Sequence, residues 1–283
     1  MAADGLELRP VRPADRRRVE EMTAEIWDGH DYLPAFFDEW VQDPNSWFQA
    51  AEVQGELVGL QRMRPIERGV VWYEGLRVAT THRRRGIARE MVARAIADAR
   101  EYGFDEIRLV TGDPEPSALF RSLGFQERLE VTAYWGRRLE GGDPAPLLPA
   151  SEAGRAFEVV RGDPAYAIYD GLHVEWDGAY SLTASELAAR AEQGLVRSLS
   201  GGRALAVLRW YRDWGFVSAC FIGGSGGLLR DLLMALRFEA DIDGVERVRA
   251  LVPNGHAGLE DLRETGYDPR SEPFRLKYFA LSL

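Results

Sequence analysis

Apolar positions along this chain recur with two different periods, and the switches between them mark out its elements. Alternation or short continuous apolar runs predict strands over 6–11, 48–53, 57–63, 70–78, 107–111 and 129–135. Apolar residues three and four apart predict helices over 14–27, 33–41, 86–102 and 116–123. Gln54-Gly55-Glu56 joins two of the strands into a hairpin, and Gly124 closes the last helix. The longest helix, with Met91, Val92, Ala95 and Ile96 on its apolar stripe, directly follows the 70–78 strand.

The second half repeats this order in worn form. Strands are expected over 204–211, 216–222 and 248–252, with a closing strand over 274–283. The run Gly223-Gly224-Ser225-Gly226-Gly227 leads into a helix through Leu228, Leu232, Leu233 and Leu236. A short helix ending in Gly266-Tyr267 echoes the one ending in Gly124-Phe125. Between the halves, Gly141-Gly142-Asp143-Pro144-Ala145-Pro146 is rich in turn formers. The expected organisation is a first domain over 1–140, a linker over 141–154 and a degenerate copy over 155–283.

Composition narrows the class. A chain of 283 residues, 46 % hydrophobic and 28 % charged, fits a soluble protein of two domains. Its net charge of −10 argues against nucleic acid as the main partner. No long apolar segment appears, so the reading is a cytoplasmic protein with no membrane contact. Cys220 is the only cysteine, which excludes an intrachain disulfide, and it sits in an apolar run as a buried thiol. Lys277 is the only lysine. That arginine bias reads as a GC-rich, bacterial coding origin. His173 and His256 lack ligand spacing, so no metal is expected.

Chemistry concentrates in three places. Arg83-Arg84-Arg85-Gly86 lies between the 70–78 strand and the long helix. A helix N-terminus carries partial positive charge, so arginines gathered there point to a polyanionic ligand. Gly86 allows close backbone approach. A solvated basic turn is the other reading, as for Arg16-Arg17-Arg18. Glu74 on the preceding strand is the candidate base; strict alternation would give it a common face with Trp72 and Leu76. The loop Trp27-Asp28-Gly29-His30-Asp31-Tyr32-Leu33-Pro34 offers two carboxylates and a histidine, suited to an amine. Capping of the next helix by Asp28 or Asp31 is equally open.

Arg83-x-x-Gly86-x-Ala88, with a strand before it and a helix after, resembles motif A of the GNAT acetyltransferase superfamily. The segment from Ser117 to Phe125 resembles that family's second recurring motif. The resemblance covers about 6–136. It implies an α/β GNAT fold, with a mixed, mostly antiparallel, splayed sheet flanked by helices, followed by a degenerate GNAT-like half. It also implies acetyl-CoA as co-substrate. Leu76, Arg77 and Val78 would then meet the pantetheine arm, with Arg83, Arg84, Arg85, Gly86, Ile87, Ala88 and Arg89 at the pyrophosphate and Ser117 and Phe120 near the thiol.

Glu74 would act as base. Phe120 stands where relatives carry a tyrosine acid, so Tyr134, Tyr32 or Tyr73 could replace it, or the thiolate could leave unaided. The segments Gly29-His30-Asp31-Tyr32-Leu33-Pro34 and Glu74-Gly75-Leu76-Arg77-Val78 further resemble the histidine N-acetyltransferase-like branch. Asp28, His30, Asp31 and Tyr32 would line the acceptor site. The activity implied is N-acetylation of a small amine, with a free amino acid such as histidine leading, by a monomer or homodimer. A non-catalytic CoA-binding module and a peptide or protein N-acetyltransferase are the alternatives.

Overall fold

The computed structural model describes residues 5–269 and 275–283, with the side chains of Trp27 and Asp28 left out. The chain divides into two compact units, Met1–Gln126 with Phe279–Leu283, and Glu127–Tyr278.

In the first unit, β1 (Leu6–Pro10) is followed by α1 (Arg16–Thr23) and α2 (Leu33–Gln42). Then come β2 (Trp47–Val53), β3 (Glu56–Glu67), β4 (Val70–Val78), α3 (Ile87–Glu101), β5 (Glu106–Thr111) and α4 (Pro114–Ser122). The helix expected over 14–27 is shorter. Thr23 turns its hydroxyl back to the Val19 carbonyl, and a separate 3-10 turn covers Ile26–Gly29. Strands β1 to β4 pair antiparallel in sequence order, and β5 lies parallel to β4.

Helix α3 lies over this sheet. Its buried Ile87, Met91, Val92, Ala95, Ile96 and Ala99 form one stripe. Each large apolar side chain so buried stabilises the unit by about 1.5–3 kcal/mol. Gly103, in a left-handed conformation, ends the helix. Its N–H reaches the Arg100 carbonyl and the Phe104 N–H reaches Ala99, the paired bonds of a Schellman cap. Helix α4 stops the same way at Gly124, with Gly124 bonded to Arg121 and Phe125 to Phe120.

In the second unit the elements are β6 (Gln126–Arg137), α5 (Ala153–Arg161), α6 (Pro164–Ile168), β7 (Leu172–Glu175), β8 (Gly178–Ser181), α7 (Ala184–Glu192) and β9 (Val196–Leu199). They continue with β10 (Ala204–Tyr211), β11 (Phe216–Gly223), α8 (Gly226–Ile242), β12 (Arg247–Pro253), α9 (Leu259–Glu264) and β13 (Tyr267–Pro269), and the closing strand β14 (Arg275–Ser282) counts with the second unit up to Tyr278 and with the first from Phe279. The strand expected at the end of the first domain is β6. It pairs antiparallel with β12 from Val131 opposite Pro253 to Arg137 opposite Arg247, and so counts with the second unit. The turn-rich 141–154 lies inside that unit as well. The repeat expected from sequence is visible as β10–β11–α8–β12–α9, matching β3–β4–α3–β5–α4. In both copies an antiparallel pair precedes the helix and a parallel pair brackets it.

Candidate active site

One extra residue in β4 decides how the site is built. Arg62 of β3 opposes Glu74 and Leu60 opposes Arg77, so Gln61 alone faces Gly75 and Leu76. This is a β-bulge. Gly75 adopts φ +69°, and a Cβ there would lie 2.9 Å from the Trp40 ring, so no other residue fits without strain. The bulge resets the alternation. Leu76 joins Val71 and Tyr73 in the core beneath α3, whereas Glu74 and Arg77 reach partners toward α2. The expectation that Glu74 shares a face with Leu76 is therefore corrected, because alternation holds only where no residue is inserted.

On the α2 side the structure gathers residues distant in sequence. Arg77 donates to both carboxylate oxygens of Asp31, Nε at 2.7 Å and Nη2 at 3.0 Å, while Asp31 is 1 % exposed. Asp31 also accepts from the Leu33 N–H, which caps the start of α2. The capping reading of Asp31 thus has its hydrogen bond, and the rest of the carboxylate is taken up by Arg77. Burial alone would lower the Arg77 pKa, but the hydrogen bonds and charge of Asp31 lift it above its ordinary value. The Arg77 guanidinium lies 5.3 Å over the Tyr32 ring. Burial raises the Tyr32 pKa, opposed by Arg77 and assisted by Glu74 and Asp31.

The Glu74 side chain is 8 % exposed and is held by Arg62 Nη1 at 2.7 Å and Arg64 Nε at 3.1 Å. Arg62, itself 4 % exposed, also reaches Asp43 and stacks 4.6 Å over Trp40. Arg62, Arg64, Asp43 and Trp40 escaped the sequence reading. The available signal was a charge inside the apolar run of β3, which must be paired when buried. His30 is exposed, and the Asp28 side chain lies outside the described residues.

The other side of β4 opens toward β5. The two strands pair only from Val70 to Trp72 against Glu106 to Arg108. Beyond Trp72, among the described residues, β4 and β5 no longer pair with each other. The arginine loop follows, with Arg84 at φ +62° and Gly86 at φ +81°. Arg83, Arg84, Arg85 and Gly86 are exposed, Ile87 is buried and Ala88 half-buried. Helical bonding begins with the Glu90 N–H on the Gly86 carbonyl, and Gly86 supplies no side-chain cap. The first-turn N–H groups are thus left for solvent or a ligand. Among the described residues, none of Arg83, Arg84 and Arg85 forms an ion pair; Arg83 Nε donates to the Val78 carbonyl. Arg89 reaches Ser122.

Three predicted residues sit elsewhere. Phe120 is 4 % exposed and packs edge-on to Phe125, 5.4 Å between centroids, and to Tyr73, 6.0 Å. Its Phe125 contact is the hydrophobic half of the α4 cap. Ser117 is buried and donates to its own helix at the Asp113 carbonyl. Tyr134 belongs to the second unit, in the core beneath α8. Tyr73 donates to Gln61 at 3.0 Å, and burial pushes its pKa well above the ordinary value.

The corresponding place in the second unit is filled by the chain itself. Strands β11 and β12 pair from Phe216 to Ala219 against Arg247 to Ala250 and then separate. Tyr169 Oη donates to the Leu251 carbonyl at 2.7 Å, and His256 Nε2 bonds the Ile222 carbonyl at 2.9 Å. At the start of α8, Asp261 accepts from the Gly226 N–H and from Arg230, and Asp163 accepts from Gly224.

Parallel strands that part beside an arginine-flanked helix start are the arrangement the motif implies, and the bulge was not among its expectations. Residues 15–125 match the profile of the acetyltransferase (GNAT) family. This segment is similar to that family. Over 85 residues the chain is 33 % identical to the histidine N-acetyltransferase of Scomber australasicus, covering 30 % of this chain and 25 % of that protein. Over 101 residues it is 37 % identical to N-acetyltransferase family 8 member 3 of Rattus norvegicus, covering 33 % and 44 %. The match thus spans less than half of either curated relative. Solved structures resemble both units together. A GCN5-related N-acetyltransferase from Sphaerobacter thermophilus aligns with TM-score 0.63 at 12 % identity, over 99 % of this chain and 96 % of that one. A tandem GNAT protein from the clavulanic acid biosynthesis pathway aligns with TM-score 0.56 at 14 % identity, over 98 % of each. The whole chain therefore has a tandem GNAT fold.

Proposed function

We propose that the first unit transfers the acetyl group of acetyl-CoA to the primary amine of a small molecule, by direct attack in a ternary complex. The observation that carries this reading is the parting of β4 from β5 next to the first turn of α3 and its three arginines. These residues fit the co-substrate. Guanidiniums without an ion pair among the described residues and open N–H groups suit a diphosphate, and a gap between parted strands suits an amide-bearing arm. Acetyl-CoA supplies the acetyl group as a reactive thioester.

The chain's own part is to bind, align and move protons. Arg83 to Arg89 hold the diphosphate, and the backbone from Leu76 to Val78 orients the arm. An N–H near Val78 donates to the carbonyl oxygen as negative charge develops. Glu74 takes the proton from the acceptor ammonium, directly or through a water, and Asp31, Tyr32 and His30 border the acceptor. As the new C–N bond forms, the C–S bond breaks and thiolate departs. The leaving group of an ordinary thiol, pKa about 8.5, is stable enough to depart without a dedicated acid. The resemblance to a protein named histidine N-acetyltransferase supports a free amino acid as acceptor. We place the protein in the cytoplasm; no helix of the described residues is long and apolar enough to cross a membrane.

A thiol-release assay over amino acids, polyamines and short peptides tests the reading. Release with an amino acid is the expected result. CoA binding without release for any acceptor supports the other reading, a binding module, which the double arginine pairing of Glu74 favours.

A further inference from the structure

The second unit's sheet has a face turned away from α8, and on it an unusual row crosses four strands. Arg209 of β10 opposes Ser218 of β11. Ser218 pairs with Arg249 of β12, and Arg249 opposes Trp135 of β6. Directly opposed residues share a face. One step along lie Tyr211, Phe216 and Arg247. The carboxylates nearby already pair with other arginines, although Glu175 Oε1 has no hydrogen-bond partner. Glu175 and Asp177 hold Arg209, and Glu175 and Glu186 hold Arg190.

Arg249 is left over. It is 5 % exposed, its Nε donates to Ser218 Oγ at 3.1 Å, and its Nη2 is buried with no hydrogen-bond partner. Its guanidinium lies 4.7 Å from the Phe216 ring centroid, 5.4 Å from Tyr211 and 5.9 Å from Trp135. Tyr211 Oη and Arg247 Nε are likewise buried and unpartnered. Among the described residues, neither Arg247 nor Arg249 forms an ion pair. A buried guanidinium without a counterion is costly, and buried donors are nearly always satisfied. Trp214, 48 % exposed, stacks in parallel on Tyr211 with centroids 5.5 Å apart, so the aromatic wall runs from this buried charge to the surface.

We propose that this face binds a small organic carboxylate, its oxygens on Arg249, Tyr211 and Arg247 and its flat apolar body against the aromatic rings. A carboxylate accepts a planar set of guanidinium and hydroxyl donors, and the aromatic lining selects an apolar body over free phosphate. The site is separate from the acetyl-transfer chemistry and stands whether or not that chemistry occurs.

The test uses the full chain with phenylacetate, acetate and inorganic phosphate as probes, read by melting temperature and tryptophan fluorescence. Phenylacetate should give a saturable rise in melting temperature and a fluorescence change, stronger than acetate. Arg249→Gln should weaken this binding about tenfold or more, and Tyr211→Phe about threefold to tenfold. Unliganded Arg249→Met should melt at or above the wild-type temperature, because it deletes a buried charge that lacks a partner. The proposal is overturned by saturation with phosphate alone, by no saturable response, or by a response unchanged in Arg249→Gln. An Arg249→Met protein that melts well below wild type would also overturn it, since the guanidinium would then already be compensated.

Discussion

The two units present the same parting of parallel strands in opposite conditions. In the first, β4 leaves β5 after Trp72. In the second, β11 leaves β12 after Ala219, and Tyr169 and His256 bond the exposed carbonyls. The helix starts differ in the same sense. Helix α3 begins uncapped among three arginines, whereas the start of α8 already receives the carboxylates of Asp163 and Asp261. A helix start favours an anion whatever its source. An internal aspartate satisfies it permanently, and arginines with open N–H groups leave it to a ligand. The comparison teaches that one scaffold can fill this position from within, using two carboxylates and two ring side chains, in one copy and not in the other.

Measurements on each unit put this contrast at risk. The largest effect is expected from Glu74→Gln, which should lower kcat by about 10²–10⁴-fold if Glu74 is the base. The loss should shrink at high pH, where the amine deprotonates unaided; a pH profile parallel to wild type would remove Glu74 from that role. Next, Arg83→Ala with Arg85→Ala should weaken CoA binding by about 10–100-fold, from the loss of charge-assisted hydrogen bonds. Calorimetry of the wild type should find a single CoA per chain, and a second equivalent would contradict the closed state of the second unit.

Smaller effects concern stability. Gly75→Ala forces a side chain into a left-handed backbone against Trp40 and should cost about 1–3 kcal/mol by denaturant unfolding. Glu186→Gln probes the second unit. The hydrogen bond from His173, helped by Arg190, depresses the Glu186 pKa to about 2. A lowered carboxyl pKa adds stability above the unfolded value near 4.5, and that stability drains as pH falls toward 2. Glu186→Gln should therefore destabilise by about 1–3 kcal/mol at pH 7 and converge on wild type near pH 2. A constant difference across that window would point to lost packing rather than charge.

The sequence was most legible where local signals agreed. The stripe from Ile87 to Ala99 and the terminating Gly103 mark α3 from periodicity and cap chemistry alone. The motif at Arg83 to Ala88 lies where that reading placed it, between a strand and a helix. What could not be read depends on distant pairing. The Asp31–Arg77 contact spans 46 positions. The bulge at Gly75 overrides alternation without changing any propensity, with a glycine as its only trace. Strand β6 shows its unit only through its pairing with strands such as β12 and β13. The stretch 150–199 holds elements of three to nine residues, too short for a period to register. Phe120 was assigned to the co-substrate because it sits in a family motif, yet the same helix-Gly-Phe pattern is a complete account of a helix cap.

The inserted residue of β4 has a consequence for how this protein can vary. Were β4 to run flat through Gly75 with its residue count unchanged, strict alternation would turn everything downstream inside out. Arg77 would be driven into the oily layer under α3, and Leu76 and Val78 would swing out to face an acidic loop with nothing to offer it. Loss of Gly75 outright would keep Glu74 and Arg77 on one side, so the first unit depends on how this strand bends more than on how many residues it has.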